Sequence, residues 1–451
     1  MEPELNTMPL APALLLAIMV CACTACHEVA HLPDSAGFGP HPALPTPDPS
    51  LIPVVNIALA KGWPVGATPI AAPGTTVHAL ANGLDHPRWL YVLPNGDVLV
   101  AETDAPDKPD DARGIRGWIT KQVMKRAGSG EPSANRITLL RDTEGHGAAV
   151  LRTIFVQGLN SPFGMTLVGN QLYVADTDAV LRFEYVDGET HLRGKGTKVV
   201  DLPAGPLNHH WTKNLIATAD GTHLYVTVGS NSNEGENGID KEAERAAVWE
   251  INLADGSHRI FASGLRNPNG LAWEPRTGAL WTVVNERDEL GNDLVPDYMT
   301  ALKDGGFYGW PYSYYGAHVD TRIQPQRPDL VARAIAPDYA LGSHTASLGL
   351  AYLDSSPLLP YRDGMFIGQH GSWNRRPRSG YKVIFVPFAN GTPHGLPVDV
   401  LTGFLGPSGA AYGRPVGVAV DKDGALLVAD DVGNAVWRVA ASSPGPAQPI
   451  N

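Results

Sequence analysis

Six stretches of the chain repeat one pattern, and no other feature restricts its fold as strongly. Each opens on a Gly or His turn, passes a Pro or polar residue, enters an apolar strand, turns, and runs into a second strand near the letters LYVAD. The copies are GLDHPRWLYVLPNGDVLVAET from Gly83, GLNSPFGMTLVGNQLYVADTD from Gly158 and HHWTKNLIATADGTHLYVTVGS from His209. GLRNPNGLAWEPRTGALWTVVNE from Gly264, HTASLGLAYLDSSPLLPYRDGMFIGQHGS from His344 and GRPVGVAVDKDGALLVADDVG from Gly413 complete the set. A unit that recurs every ~50 to 80 residues cannot bury its apolar face alone and stacks on its neighbours. The pattern therefore predicts an all-β chain: a six-bladed β-propeller of four-stranded antiparallel blades over residues 66–440. The 49 glycines, 39 prolines and only 18% charged residues agree with short strands and many turns. In such a ring the equivalent turns of all blades converge on the axis, so chemistry is sought there.

The strands between the repeats are visible too. NRITLLRD from Asn135, VLRTIFVQGL from Val150, AVLRFEYV from Ala179, AAVWEINL from Ala246, YKVIFVPF from Tyr381 and AVWRVA from Ala435 mostly alternate apolar and polar residues, the period of half-buried strands. TTVHALANGL opens the first sheet strand. Two intervals are long: Ala105 to Ala134, with RGWITKQVMKRAG as a short helix, and Leu290 to Leu341, with GGFYGWPYSYYG. Long ordered loops on a propeller build the rim of a site.

The N-terminus reads as an export signal. Leu10 to Val20 is almost wholly apolar and too short to span a bilayer comfortably. Val20-Cys21-Ala22-Cys23 resembles a bacterial lipobox with Cys23 lipidated and Cys26 as second choice, although the preceding residues carry Glu2 and Glu4 and no Lys or Arg. Residues 1–22 are thus expected to be a lipoprotein signal peptide, 23–65 a Pro-rich extended tether and 441–451 a disordered tail. The destination is the periplasm or an outer-membrane lipid anchor. All three cysteines lie within the first 26 residues, so the body holds no disulfide although the compartment permits one. The net charge of −12 offers no basic face for nucleic acid. Arg375, Arg376 and Arg378 form the densest basic cluster, which reads as a solvated loop.

Several residues at the turns carry possible chemistry. His27-Glu28-Val29-Ala30-His31 fits the zinc-protease letters H-E-x-x-H, but lies beside a Pro-rich tether instead of on a core helix, and reads as chance. His209-His210 opens the third repeat. Successive residues of an extended segment point oppositely, so one of the two faces the axis, where a histidine suits a general base or a structural bond between blades. Arg266-Asn267 and Arg414 occupy the equivalent turns of the fourth and sixth repeats. Two fixed guanidiniums suit a carboxylate-rich ligand, or ion pairs between blades. The run Asn285-Glu286-Arg287-Asp288-Glu289, with Asn292-Asp293 and Asp297, is oxygen-rich and fits either a hard cation or a solvated acidic loop. His370 and Trp373-Asn374-Arg375 follow the second strand of the fifth repeat, over the mouth or on the surface. G-x-G-x-x-G, P-loop and G-x-S-x-G patterns are absent.

HPRWLYVLPNGDVLVAET, NHHWTKNL, GLRNPNGLAW, NERDELGNDLVPDY, GGFYGWPY and QHGSWNR together resemble the glucose/sorbosone dehydrogenase family, quinoproteins that use pyrroloquinoline quinone (PQQ). The resemblance covers about Thr75 to Val439 and is closest to the L-sorbosone and pyranose dehydrogenase branch. It implies PQQ and Ca²⁺ at the axial mouth of a six-bladed propeller. It assigns His210 as catalytic base and Arg266 and Asn267 as quinone contacts, with Arg414 pairing a PQQ carboxylate. Backbone carbonyls near Glu286 and Arg287 would hold Ca²⁺. His370 or Arg375 would replace a fifth-blade lysine of the glucose branch. That branch has an acid where this chain has His209, a second arginine where it has Val416, and a second-blade glutamine beside the place of Asn160, so glucose is not assumed. The implied reaction is oxidation of an aldose or aldosone such as sorbosone, with hydride passing to the quinone, charge stabilised by Ca²⁺ and Arg266, and a separate quinone or cytochrome as electron acceptor. The alternatives are a propeller lactonase with an axial divalent metal, which needs more axial acids than these turns offer, and a non-catalytic sugar-binding propeller, which would repeat its turns more faithfully.

Overall fold

The computed structural model describes residues 29–49, 54–106, 126, 128, 130, 132–357 and 359–442. They form six antiparallel sheets arranged radially. Blade 1 comprises Pro87–Val92, Val98–Glu102, Arg136–Arg141 and Leu151–Gln157. Blade 2 follows with Met165–Val168, Gln171–Ala175, Ala179–Glu184 and Thr197–Asp201. Blade 3 is built from Leu215–Ala217, His223–Val228, Ala247–Asn252 and His258–Ser263. In blade 4 the strands are Pro268–Glu274, Ala279–Val284, Pro296–Ala301 and Tyr339–Ser343. Ser347–Ser355, Arg362–Gln369, Lys382–Ala389 and Val398–Thr402 make blade 5. Blade 6 takes Pro415–Val420, Leu426–Asp430 and Ala435–Ala441, and is completed by Thr75–Asn82.

That last pairing decides where the strand expected in TTVHALANGL belongs. Thr75–Asn82 is the first long strand of the chain but belongs to the last blade, antiparallel to Ala435–Ala441 with Val77 opposite Val439. It closes the ring. The buried apolar residues fall into six clusters, one at each interface between neighbouring blades. Alternation along each strand sends one set of side chains to each neighbour, which is why the repeats share apolar letters.

Two other recurring letters have structural causes. A glycine sits early in the inner strands of three blades, Gly270, Gly349 and Gly417, and just ahead of the inner strand of a fourth, Gly164. There the inner strands of adjacent blades nearly touch. A Cβ on Gly417 would lie 2.7 Å from the Arg88 carbonyl oxygen, and one on Gly349 would press on the Val416 carbonyl and come within 3.0 Å of Val418 N. The acid ending the second strand pins its own blade's opening turn: Glu102 accepts the N–H of Asp85, Asp176 that of Asn160 and Asp430 that of Arg414.

The long interval from Leu290 supplies two strands of blade 4 with an excursion between them. In it Gly306–Phe307 pairs in parallel with the outer strand of blade 3, and Ser313–Tyr314 pairs with His318–Val319. The helix expected in RGWITKQVMKRAG, the leader with its cysteines, and the tail beyond 442 lie outside the described residues.

Residues 29–49 and 54–65 are not a free spacer. Phe38–Gly39 pairs with Tyr339–Ser343. Ala30 N–H donates to Arg376 O, Asp48 N–H to Leu290 O, Asn56 N–H to Trp373 O and Lys61 N–H to Ala411 O. The segment is a strap laid over the loops of blades 4 to 6. The arginine cluster is not a solvated loop either: Arg375 is buried, and Arg378 donates to the carbonyls of Asn56 and Ile57.

Gly349→Ala is expected to lower stability by about 1–3 kcal/mol through overpacking at the axis. A fall in the thermal midpoint followed by circular dichroism checks it.

Candidate active site at the propeller mouth

The opening turns of the six blades bring residues from distant parts of the chain to one end of the axis. His210 enters from blade 3. Its Nδ1 lies 2.7 Å from the Ser230 carbonyl oxygen and 3.0 Å from Ser230 Oγ. Ser230 Oγ itself donates to Ser232 O at 2.7 Å, so Ser230 can only receive at Nδ1. The proton therefore sits on Nδ1, and Nε2 keeps its lone pair. Burial, and then the charge of Arg266, hold the imidazole pKa well below its ordinary value, so the ring is a neutral acceptor. His209 is exposed, and its N–H donates to Asn231 Oδ1 at 3.2 Å. One of the pair faces inward and the other outward, as an extended segment requires.

Arg266 and Asn267 come from the turn of blade 4, and both are buried. Asn267 and His210 meet over Gly229, where a Cβ would collide with Asn267 Oδ1 and lie 2.6 Å from His210 Cβ. The Arg266 Nη1 group donates to Glu286 O at 2.7 Å and Asn285 O at 3.2 Å. Asp288 Oδ2 receives Nη2 at 3.5 Å. The other oxygen of Asp288 accepts from Asn374 Nδ2 at 2.8 Å and faces His344 Nδ1 at 3.2 Å. His344 Nε2 faces Gly291 O at 2.9 Å. Both ring nitrogens of His344 thus meet acceptors, which calls for the doubly protonated ring. Burial opposes that charge, but the Asp288 carboxylate outweighs it and raises the pKa. Burial likewise works against ionised Asp288, yet the hydrogen bond from His344 and the charge of Arg266 hold its pKa at about 2.

A second charged group stands on the blade 1, 5 and 6 side. Asp431 Oδ2 receives Arg88 Nη1 at 3.0 Å and lies 2.8 Å from His370 Nε2, with His86 Nε2 at 3.6 Å. Burial opposes the Asp431 charge, but His370, His86 and Arg88 drive its pKa far down. The Arg88 guanidinium lies over the Trp211 ring at 5.7 Å, which links this group to the residue after His210. Arg414 is buried, donates from Nη2 to Ala58 O at 3.0 Å and lies over the Tyr381 ring at 5.2 Å. The strap thus supplies one wall of its surroundings.

The expected set is therefore brought together only in part. His210, Arg266 and Asn267 form one group, and His370 reaches the mouth beside Arg414. Arg375 is spent elsewhere, on Asn292 O, Pro377 O and Asp34 of the strap. The side chains of Glu286 and Arg287 pair with each other at 3.0 Å, and Arg287 also holds Asp320, Pro311 O and Ser313 O. Arg88, Asp288, His344, Asn374 and Asp431 were not singled out individually. Their signals were present: Arg88 lies in HPRW, Asp288 in the acidic run, His344 heads the fifth repeat, Asn374 follows Trp373 and Asp431 ends LVADD.

Five polar atoms here are buried without a partner: Arg88 Nε, Arg414 Nε, Asn267 Oδ1, Asn374 Oδ1 and Asp431 Oδ1. Such atoms each cost about 1–3 kcal/mol unless a ligand meets them. Two unmet guanidinium donors suit a ligand rich in carboxylates, and PQQ, a tricarboxylate, fits that donor set. A hard cation fits less well. Among the described residues no three His, Cys, Asp or Glu side chains converge on a metal position, and the carbonyls of Asn285 and Glu286 already receive Arg266. A cavity of about 130 Å³ under the strap, lined by Asp34, Phe38, Asp293 and Arg375 among others, contains none of His210, Arg266, Asn267 or Arg414.

Asp288→Asn is expected to cost about 2 kcal/mol at neutral pH. Because the folded carboxyl is depressed, wild type keeps this contribution above the ordinary carboxyl pKa and loses it as the pH falls from about 4 to about 2. Denaturant melts of both proteins across that range should show the gap closing.

Comparison with known proteins places this geometry. A family model described as TrAA12-like matches residues 69–299 and 326–442. The calcium structure of a Trichoderma reesei carbohydrate-active enzyme of family AA12 superposes with a TM-score of 0.67 at 17% identity, covering 86% of this chain and 99% of that one. The holo form of the pyranose dehydrogenase PQQ domain from Coprinopsis cinerea gives 0.66 at 20% identity, covering 85% and 100%. Aldose sugar dehydrogenase YliI of Escherichia coli is 23% identical over 66% of this chain and 79% of its own length. At these identities the solved structures establish a shared fold.

Proposed function

The chain belongs to the TrAA12-like family, and on that premise we propose that it is a PQQ-dependent sugar dehydrogenase acting on an aldose or an aldosone of the sorbosone kind. One observation carries the reading: at the axis a neutral histidine has Nδ1–H fixed on Ser230 O and Nε2 open, beside a buried arginine. Relatives of this fold include a pyranose dehydrogenase PQQ domain and an aldose sugar dehydrogenase.

When bound, PQQ supplies the two-electron acceptor for a hydride from the sugar carbon. Arg88, Arg414 and Asn267, with unmet polar atoms, and His370 would hold it. His210 Nε2 takes the proton of the hydroxyl on the carbon being oxidised, while Ser230 keeps the ring from turning. The resulting imidazolium is stabilised through its Nδ1–H and lies close enough to Arg266 to favour rapid loss of the proton. Arg266 and Asn267 keep the positive and amide faces of the pocket fixed before substrate arrives. Calcium, which the sequence resemblance implies, enters as a separate arm of the test. Electrons leave to a separate quinone or cytochrome acceptor. The leader would deliver the protein to the periplasm or a lipid anchor. Among the described residues no helix is long and apolar enough to cross a membrane.

Purified protein given PQQ, with and without Ca²⁺, is expected to reduce an artificial dye with aldoses or aldosones and to stay silent without the quinone. Silence across a broad sugar panel overturns the reading. His210→Ala is expected to lose kcat by about 10²- to 10⁴-fold, the usual worth of a general base, while quinone affinity measured by absorbance titration is retained. Since the folded His210 pKa is lowered from 6.5, the acid limb of the kcat–pH profile is expected below pH 6.5.

A further inference from the structure

Arg266 carries five N–H donors, and all five are already engaged. Nε–H donates to the main-chain oxygen of Asn233 at 3.2 Å. Nη1 serves Asn285 O and Glu286 O. Nη2 serves Asn233 Oδ1 at 3.0 Å and Asp288 Oδ2 at 3.5 Å. A guanidinium is planar with a fixed fork of donors, so two contacts from one residue along its Nε–Nη2 edge set its orientation. Asn233 provides both.

The same asparagine also fixes Asp288. Its Oδ1 accepts the Asp288 N–H at 2.9 Å, and its Nδ2 donates to Asp288 O at 3.3 Å and Glu234 Oε2 at 3.1 Å. Its carbonyl oxygen additionally receives Trp310 Nε1 at 3.0 Å, and its N–H donates to Glu236 Oε1 at 2.9 Å. Asn233 itself is anchored from several sides while remaining half-buried.

We propose that Asn233 is the positioning residue of this centre: it sets the plane of the Arg266 guanidinium and leaves one Nη2 donor for an anionic oxygen of the ligand. The donor is the one now shared with Asp288 Oδ2, the longest of the five contacts. Asp288 can release it, because its other oxygen is held independently by Asn374 and His344. Asp288 then stands in for the ligand's oxyanion when the site has none, so Arg266 is never left as a buried uncompensated charge. This deepens the reading of Arg266 as a quinone-facing residue and rests on it.

Two measurements test the proposal. In protein without quinone, the ¹H–¹⁵N signal of the Arg266 Nη2 group, which donates to Asn233 Oδ1 and is assigned by its loss in Arg266→Gln, should exchange slowly in wild type and fast in Asn233→Ala. Asn233→Asp, which keeps the oxygen acceptor, should stay close to wild type. In PQQ titrations, Asn233→Ala and Arg266→Gln should each weaken binding about ten- to a hundredfold, the range for hydrogen bonds to a charged group. The double variant should bind no more weakly than Arg266→Gln alone, since one residue acts through the other. Additive losses, or an Nη2 group equally protected in Asn233→Ala, overturn the role of Asn233. An Arg266→Gln protein that binds PQQ as wild type does overturns the quinone contact assigned to Arg266, while the exchange measurement still decides whether Asn233 orients the guanidinium. Should Asn233→Ala fail to fold, Asn233→Leu, of similar size and without a side-chain acceptor, takes its place in both measurements.

Discussion

Everything at the mouth depends on the closure of the ring. Thr75–Asn82 pairs with Ala435–Ala441 across more than 350 positions of sequence, and only then do six blades have six interfaces. Without that strand, blade 6 would expose an unpaired edge and the apolar cluster that it shares with blade 1. The closure also brings the first turn to the last: Arg88 reaches Asp431, 343 positions away, because blades 1 and 6 have become neighbours. At the axis the inner strands approach so closely that glycine replaces larger residues at Gly349 and Gly417. Polar side chains that belong to these turns are left with one direction, outward to the mouth.

Charge is balanced there by pairing. Asp288 answers Arg266 and His344, and Asp431 answers Arg88 with His86 and His370 nearby. Both carboxyls titrate far below their usual range because cations face them. Asp297 and Asp430 are equally buried, yet their pKa values rise to about 6. Their partners are neutral, chiefly backbone N–H groups with indole or hydroxyl donors, which do not offset the cost of desolvation. The contrast separates two jobs done by the same residue type: carboxylates that hold blade turns in place, and carboxylates that offset fixed cations at the axial mouth.

Much of this was legible in the letters. Alternation and turn residues located the strands between the repeats, and the turns that departed from the common pattern contained His210, Arg266, Asn267 and Arg414. Local patterns could not show where a matching strand would pair, so the blade that Thr75–Asn82 completes was decided only by the fold. The Pro-rich segment from residue 29 carries no strand periodicity, and its contacts are main-chain bonds to loops hundreds of residues away. Arg375 looked like a mouth residue because it follows the second strand of blade 5, but Asp34 of the strap takes its charge. Glu286 and Arg287 are named through the resemblance, which implies their backbone carbonyls as cation ligands; their side chains pair with each other in the core, and the Glu286 carbonyl receives Arg266.

By itself the sequence determined the architecture and placed a histidine pair at an axial turn. A six-fold repeat with period-two strands has one economical way to bury its apolar faces, and an extended His-His pair can send only one ring inward. The tertiary structure alone decided which cations meet which anions. Asn233, Asp288, His344, Arg88 and Asp431 lie on different blades, and no local spacing relates them. Their pairing follows from ring closure and from the cost of leaving a buried charge uncompensated.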